Sequence, residues 1–331
     1  MPPAPPHLPP LFAVTPATSA AAAEHPWYRA CRDHITKRTI RVALTRIWNT
    51  YGELLPEAPE QFVYEFRRDF PARSWELYVL GWLARSGATL ERSPGTGPDF
   101  CARHPRIGRF WIECVVPTPG TGPNRVWERD DNIQVWSGPS DEPLALRYTS
   151  AAQTKIAKIA SYRTRKIVAP TEPVIVALNQ GGIRDADLHD IELPQSMMVL
   201  YGIGKTVLKV DPYAHTSQVE VLPRVEIQNS SGAPVSTVIF AEPASSVIAG
   251  VMLARTNVLN LFGGRRRRLL MAHNPSATAA VPIGVLPWRG EVWVGDDRRL
   301  IHRGVVSDYG PFAVYSRRRP AVISAVPASG M

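Results

Sequence analysis

The chain has 331 residues, with 44% hydrophobic and 20% charged residues, and it carries a formal net charge of +9 at neutral pH. A chain of this length and composition can bury a full core and contains no run of roughly 18 apolar residues, which excludes a disordered chain, a disulfide-stapled miniprotein and a membrane-spanning helix. The positive charge favours an anionic partner, such as nucleic acid or an acidic lipid surface, and we expect nucleic acid and no membrane.

The first 24 residues are rich in proline and alanine. They lack a basic segment, and prolines interrupt any apolar run, so the pattern predicts a disordered leader rather than a secretion signal. Apolar residues then recur at steps of three and four, which predicts one or two amphipathic helices over 25–51, ended by Pro56 and Pro59. We assign 25–72 to an N-terminal helical segment.

The next stretch contains the clearest elements. SWELYVLGWLARSG predicts a helix over 74–86, with Ser74 as its N-cap and Gly87 just beyond its end. A polar, Pro- and Gly-rich loop is predicted over 117–145, and a second helix over 147–166. The strand candidates are ATLERS (88–93), DFCAR (99–103), RFWIECVVP (109–117) and PVIVALN (173–179).

These elements follow the order helix, strand, strand, strand, helix, strand, which predicts an α/β core with a mixed sheet. We assign the core to 73–220. The remaining residues, 221–331, are predicted to form an α+β extension that continues the core, because the connections are short. Beyond residue 190 we predict a helix near 194–201, an extended stretch at 219–228, and strands over 234–242 and 246–255.

Two carboxylates stand out in the core. Asp99 lies at the mouth of one predicted strand and Glu113 lies in the middle of the next, so a hairpin would bring them together. Because side chains alternate along a strand, Glu113 shares one face with Trp111 and Val115. A carboxylate in an apolar strand is costly unless it is paired or bound to a cation, so Glu113 requires a partner.

The Pro-Asp pair ending at Asp99, followed by Glu113 within this order of elements, resembles the PD-(D/E)XK nuclease superfamily over residues 74–179. The resemblance implies a restriction-endonuclease-like αβββαβ fold and an endonuclease that hydrolyses phosphodiester bonds, of DNA rather than RNA. It also implies a Mg²⁺ or Mn²⁺ ion held by Asp99, Glu113 and the backbone carbonyl of Cys114, since hard oxygen ligands suit these ions.

One position departs from the family pattern. The lysine expected two residues after Glu113 is replaced by Val115. In this superfamily the lysine can lie on the following helix, where this chain has Lys155 and Lys158 about one turn apart. We favour Lys155 as the catalytic amine and expect the other lysine to face solvent. The family's first helix often contributes a further glutamate, which Glu76 matches.

Structural interpretations of the same residues stay open. Asp99 would then begin a turn, Glu113 would pair with an arginine such as Arg109, and Lys155 and Lys158 would form the solvated face of a helix. Under this interpretation the glutamate on the first helix has only a local role.

Two other functions also stay open. The valine in the lysine position favours a catalytically inactive member of the fold that binds nucleic acid or a protein, and the long loop favours a plain interaction module. Whether the protein is an enzyme is therefore undecided at this stage. A homodimer would suit a nuclease that cuts both strands.

Features outside this motif are consistent with a nucleic-acid partner. Arginine runs at 265–268 and 317–319 form either solvated loops or phosphate contacts, and loop tryptophans such as Trp127, Trp136 and Trp288 permit base stacking. The three cysteines are an odd number without CxxC spacing, which argues against disulfides and structural zinc and predicts a cytoplasmic location.

Overall fold

The structure, a computed structural model, describes residues 8–13, 24–129, 140–186, 193–211, 216–254, 257, 269–295, 299–304 and 322–324. It shows a mixed α/β fold in which helices cover both faces of a central mixed sheet. None of the described helices is long and apolar enough to cross a membrane.

Helices α1 to α4 pack against one face of the sheet, and α5 and α6 pack against the other. Each side has its own apolar cluster, so the sheet is buried on both faces over its central strands. The helices described are α1 (Pro26–Asp33), α2 (Arg38–Tyr51), α3 (Pro59–Arg68), α4 (Phe70–Leu83), α5 (Asp141–Thr164) and α6 (Gln195–Tyr201).

The central sheet has nine described strands in the order β1-β2-β3-β4-β9-β10-β11-β12-β13. Strands β1 to β3 are antiparallel neighbours, whereas β3, β4 and β9 run parallel. Strands β5 with β6 and β7 with β8 form two separate hairpins. The strand bounds are β1 Thr89–Glu91, β2 Phe100–His104, β3 Gly108–Val115, β4 Val174–Asn179, β5 Ile203–Asp211, β6 Thr216–Pro223, β7 Glu226–Gln228, β8 Pro234–Ser236, β9 Gly250–Ala254, β10 Leu270–His273, β11 Gly290–Val294, β12 Arg299–Gly304 and β13 Val322–Ser324.

The element order from α4 to β4 and the mixed sheet are as predicted. Strand β4 (VIVALN) is buried along its whole length, as expected for a parallel strand covered on both faces. Strand β3 alternates: Trp111 belongs to the cluster under α5, whereas Ile112 and Cys114 belong to the cluster under α1 to α4. Because β3 and β4 are parallel, their carboxyl ends meet at one edge of the sheet.

Two helices begin earlier than the sequence predicts. Helix α4 begins at Phe70, and its N-cap is Asp69, whose Oδ1 accepts from the backbone N–H of Ala72 at 3.4 Å. The predicted cap, Ser74, lies inside the helix, where its hydroxyl donates to the carbonyl of Phe70. Helix α5 begins at 141 with two acidic residues in its first turn, so the predicted loop over 117–145 is shorter, and its part at 130–139 lies outside the described residues.

The N-terminal segment contains one helix more than predicted. Pro59 does not end the helical region but stands in the first turn of α3, where its missing N–H would have no helical partner in any case. The prediction of a disordered leader is wrong for residues 8–13. Leu11 is buried among the helices, and the indole N–H of Trp48 donates to the carbonyl of Pro9 at 2.9 Å.

The C-terminal part continues the core, since β9 to β13 lie in the same sheet as β1 to β4. The strand predicted over 234–242 is wrong after Ser236, because 239–241 form a 3-10 turn, and the strand predicted over 246–255 is shorter. The arginine runs at 265–268 and 317–319 lie outside the described residues. All three cysteines are buried free thiols.

Candidate functional site

The β2–β3 hairpin brings the two predicted carboxylates to one place. Phe100 pairs with Ile112, so Asp99, one residue before β2, stands beside Glu113 and Cys114. The backbone N–H of Cys114 donates to Oδ2 of Asp99 at 2.6 Å. Asp99 therefore does more than begin a turn: its carboxylate is fixed against the strand that carries Glu113.

Both helix lysines bind Glu113. The side chain of Glu113 is fully buried, and its Oε1 accepts from Lys155 Nζ and from Lys158 Nζ, each at 2.7 Å. The expectation that one lysine faces solvent holds only in part: Lys158 is exposed, but its amine still reaches Glu113, because residues three apart on α5 stand on the same helix face above β3. Their environments still differ: the side chain of Lys155 is 17% exposed and that of Lys158 is 47% exposed.

The arginine proposed as a structural partner of Glu113 is engaged elsewhere. Arg109 forms ion pairs with Glu91 at 3.1 Å and with Glu172 at 3.7 Å, and its guanidinium lies over the ring of Trp111. The interpretation in which Arg109 neutralises Glu113 is therefore wrong.

One oxygen of Glu113 remains unused. Oε2 is buried and has no hydrogen-bond partner among the described residues, whereas Oε1 accepts from two ammonium groups. A buried acceptor without a partner costs free energy, more so when it is charged. This oxygen is therefore suited to bind a cation.

Glu76 joins the site from the opposite face of the sheet. It lies on α4, and its Oε2 accepts from Nη1 of Arg73 at 2.7 Å. The same guanidinium binds Glu57 at 2.7 Å and also binds Glu65. Sequence reasoning missed Arg73, although its position three residues before Glu76 on one helix is a spacing that brings opposite charges together.

The carboxyl groups influence one another's titration. Burial, and then the charge of Asp99, raise the pKa of Glu76 to about 8, against the opposing effect of Arg73. Burial, and then the charge of Glu113, raise the pKa of Asp99 to about 6, against the opposing effect of Lys155. Both shifts have the sign expected when buried negative charge exceeds the nearby positive charge.

A count of charges agrees with these shifts. The connected group holds five carboxyl groups and only three cations, so negative charge exceeds positive charge even when Glu76, with a pKa of about 8, keeps its proton. Burial lowers the pKa of Lys158, but its hydrogen bond to Glu113, the charge of Glu113 and a hydrogen bond to Tyr162 together outweigh this and raise it. The members of the group are Glu57, Glu65, Glu76, Asp99 and Glu113 with Arg73, Lys155 and Lys158.

The pH dependence of stability tests this electrostatic arrangement. Asp99 and Glu76 keep their protons to higher pH in the folded chain than their ordinary values of 3.8 and 4.5 allow. Between about pH 4 and pH 8 the folded state therefore binds more protons than the unfolded state does. Because of these two groups, the free energy of unfolding falls as the pH rises. We expect the free energy of unfolding of Asp99→Asn and of Glu76→Gln to decrease less with rising pH than that of the wild type.

The measurement is the thermal midpoint of each variant and of the wild type from about pH 5 to pH 8. Comparison with the wild type is needed because His25 and His302, whose pKa values are lowered by burial, contribute a rise in stability over part of this range. Parallel curves for all three proteins would contradict the shifted pKa values.

The donors available for a metal are few. No three His, Cys, Asp or Glu side chains within the described ranges are grouped closely enough to hold a metal ion by themselves. The thiol of Cys114 belongs to the apolar cluster under α4, and burial raises its pKa, so Cys114 can offer only its backbone carbonyl. An ion here would bind the carboxylates of Asp99 and Glu113 and take its remaining ligands from water, backbone or substrate.

Comparisons of this chain with protein-family models, with curated proteins and with solved structures gave no match. A buried carboxylate beside a half-buried one, an unused carboxylate oxygen and two ammonium groups within 3 Å of one atom are suited to chemistry on a phosphate ester in the presence of a divalent cation.

Proposed function

We propose that the protein is a metal-dependent endonuclease that hydrolyses phosphodiester bonds of DNA and works in the cytoplasm. One observation carries this proposal. Glu113 is fully buried, holds two ammonium groups on one oxygen, leaves its other oxygen without a partner, and lies beside Asp99. The element order from α4 to β4, which is that of the restriction-endonuclease-like fold, and the three free thiols support the proposal.

The residues fit a hard divalent cation. Mg²⁺ and Mn²⁺ prefer oxygen ligands, and Mg²⁺ commonly takes one or two carboxylates together with water and phosphate oxygens. Asp99 and Oε2 of Glu113 would supply the carboxylates, and the carbonyl of Cys114 a third oxygen. The ion, when bound, would lower the pKa of a water molecule and offset charge on the phosphate.

The other side chains have distinct tasks. Lys155, the less exposed lysine, is suited to stabilise the negative charge that develops on the phosphate, and Lys158 helps to hold Glu113 in place. Glu76, with a pKa near 8, can exchange a proton with water near neutral pH. Arg73 keeps Glu76 oriented through its ion pair.

A basic surface on α2 supports an anionic polymer as the substrate. A groove of about 740 Å³ is lined by Arg38, Arg46 and Arg85. All three arginines are exposed, and none forms an ion pair with a described residue, whereas Arg73 and Arg109 do. Helix α2 itself contains no acidic residue. Guanidinium groups without a carboxylate partner are suited to phosphate contacts.

A second candidate function is favoured by two other observations. Val115 occupies the position of the motif lysine, and both helix lysines are already bound to Glu113. A chain in which this ion-pair group is purely structural would bind nucleic acid without cutting it. Such a protein would be a catalytically inactive member of the same fold.

The test is incubation of the purified full-length chain with supercoiled plasmid in Mg²⁺, in Mn²⁺ and in EDTA, together with calorimetric titration of Mn²⁺. We expect nicked or linear plasmid only with the divalent ions, and saturable binding of Mn²⁺. Absence of cleavage under every condition, with no Mn²⁺ binding even when DNA is present, would overturn the nuclease and favour the inactive binding protein.

A further inference from the structure

The loop that leaves β3 displays a tryptophan to solvent. The side chain of Trp127 is 73% exposed, although a tryptophan ring gains more than most side chains from burial. Its neighbour Val126 is fully buried in the cluster under α5. The ring is therefore turned outward from a backbone that is anchored in the core.

The loop around Trp127 is held by hydrogen bonds on both sides. Positive φ angles at Gly120 and Gly122 allow its turns, because a side chain at these positions would be strained. Four hydrogen bonds hold the loop: one lies within it, one joins it to α5, and two join it to neighbouring loops. They are Val126 N to Pro119 O at 2.9 Å, Arg147 Nε to Thr118 O at 2.9 Å, Ser230 N to Asn124 Oδ1 at 2.8 Å and Arg184 N to Glu128 Oε1 at 2.9 Å.

The loop lies at the same edge and on the same face of the sheet as the candidate site. It follows the carboxyl end of β3, which carries Glu113, and Val126 packs in the cluster that contains the buried side of α5. Arg147, which binds the loop, precedes Lys155 by eight residues on α5, or about 12 Å along the helix axis. A strand of about four stacked nucleotides covers that distance at ~3.4 Å each.

The ring carries a cation on one side. The guanidinium of Arg125 lies 5.5 Å from the centre of the Trp127 ring. A flat, exposed aromatic surface with an adjacent arginine offers stacking to a base and attraction to the phosphate that follows it. Stacking of this kind requires a base that is not already stacked within a duplex.

From these observations we propose that Trp127, with Arg125, is a stacking platform for an unpaired nucleobase a few nucleotides from the candidate site. The inference rests on the proposed function and deepens it, because it assigns the substrate an unpaired segment. A tryptophan that is exposed in a fixed loop meets the base without first having to become ordered, which favours binding.

The test is binding of fluorescein-labelled oligonucleotides, measured by anisotropy in EDTA so that cleavage plays no part. One probe is a single-stranded DNA 16-mer, and the other is the duplex of the same sequence. We expect Trp127→Ala to weaken binding of the single strand about 10-fold or more and binding of the duplex much less. Trp127→Phe, which keeps an aromatic face, should retain most of the affinity.

Tyr64→Ala provides a matched control. Tyr64 is also exposed, at 53%, and also has an arginine over its ring, but it lies on α3 on the other face of the sheet. Its replacement should leave both affinities unchanged. Equal binding by Trp127→Ala and the wild type would overturn the inference, as would an equal loss on both probes or a wild type that binds neither probe.

Binding and cleavage can fail separately. A wild type that binds the single strand through Trp127 but cuts nothing in Mg²⁺ or Mn²⁺ would uphold this inference and overturn the proposed nuclease. If the wild type cuts DNA and Trp127→Ala binds the single strand as tightly as the wild type, the proposed nuclease would be upheld and this inference overturned.

Discussion

Glu113→Gln is expected to lower metal-dependent cleavage by about 1,000-fold, the upper range for loss of one preorganised electrostatic group. Glutamine has the same shape but no charge, so it weakens the attraction for a cation at Oε2 and for the two ammonium groups at Oε1. The measurement is the initial rate of plasmid cleavage in Mg²⁺ and in Mn²⁺. A rate equal to that of the wild type would show that the cleavage comes from elsewhere.

The same substitution is expected to reduce stability, because it leaves the partly buried Lys155 without its ion-pair partner. Breaking one side of a buried ion pair costs about 3 kcal/mol. The double variant Glu113→Gln/Lys155→Met removes both charges and should regain part of the thermal midpoint without regaining activity. Recovery of cleavage in this double variant would contradict a catalytic role for Glu113.

The parts of the fold that the sequence predicts well are those with strong local signals. Strand β3 is apolar, β-branched and aromatic and ends before Pro117, and β4 is a short apolar run, so both are recognisable without their neighbours. Glu113 stands out in the sequence for a related reason. A single carboxylate within an apolar strand costs free energy unless it has a partner.

Other features depend on contacts that are distant in the chain. Leu11 and Pro9 join the helical layer through Trp48, almost forty residues away, so a proline-rich segment that suggests disorder is packed in place. Arg73 collects carboxylates from three places, and only the one at Glu76 is near it on the same helix. Neither arrangement has a local sequence pattern.

The lysines illustrate a partial prediction. The sequence predicts an amine of Lys155 or Lys158 beside Glu113, and the structure places both there, whereas the sequence assigned the two side chains different directions. Both reach Glu113 because a lysine side chain is long and flexible, and because α5 lies directly over β3. What differs between them is exposure to solvent, which only the packing of the helix determines.

This difference in exposure leads to a large expected difference in activity. Lys155→Ala should lower metal-dependent cleavage by about 100-fold, whereas Lys158→Ala should lower it by about 10-fold or less. Lys155 is the more buried amine, so its charge is less screened by water and acts more strongly on a phosphate held near Glu113. Lys158 serves as the matched control, because it has the same residue type, helix and partner atom.

The measurements are the cleavage rate and the thermal midpoint of both single variants and of the double variant. A further substitution, Val115→Lys, separates a catalytic role of the helix lysines from a structural one. Val115 lies on the same strand face as Glu113 and is only partly buried, so Val115→Lys can place an amine at the position of the lysine in a PD-(D/E)XK motif. We expect Val115→Lys to restore part of the rate that Lys155→Ala loses. Full activity in the variant that lacks both helix lysines would contradict their role, because no amine would then remain on Glu113.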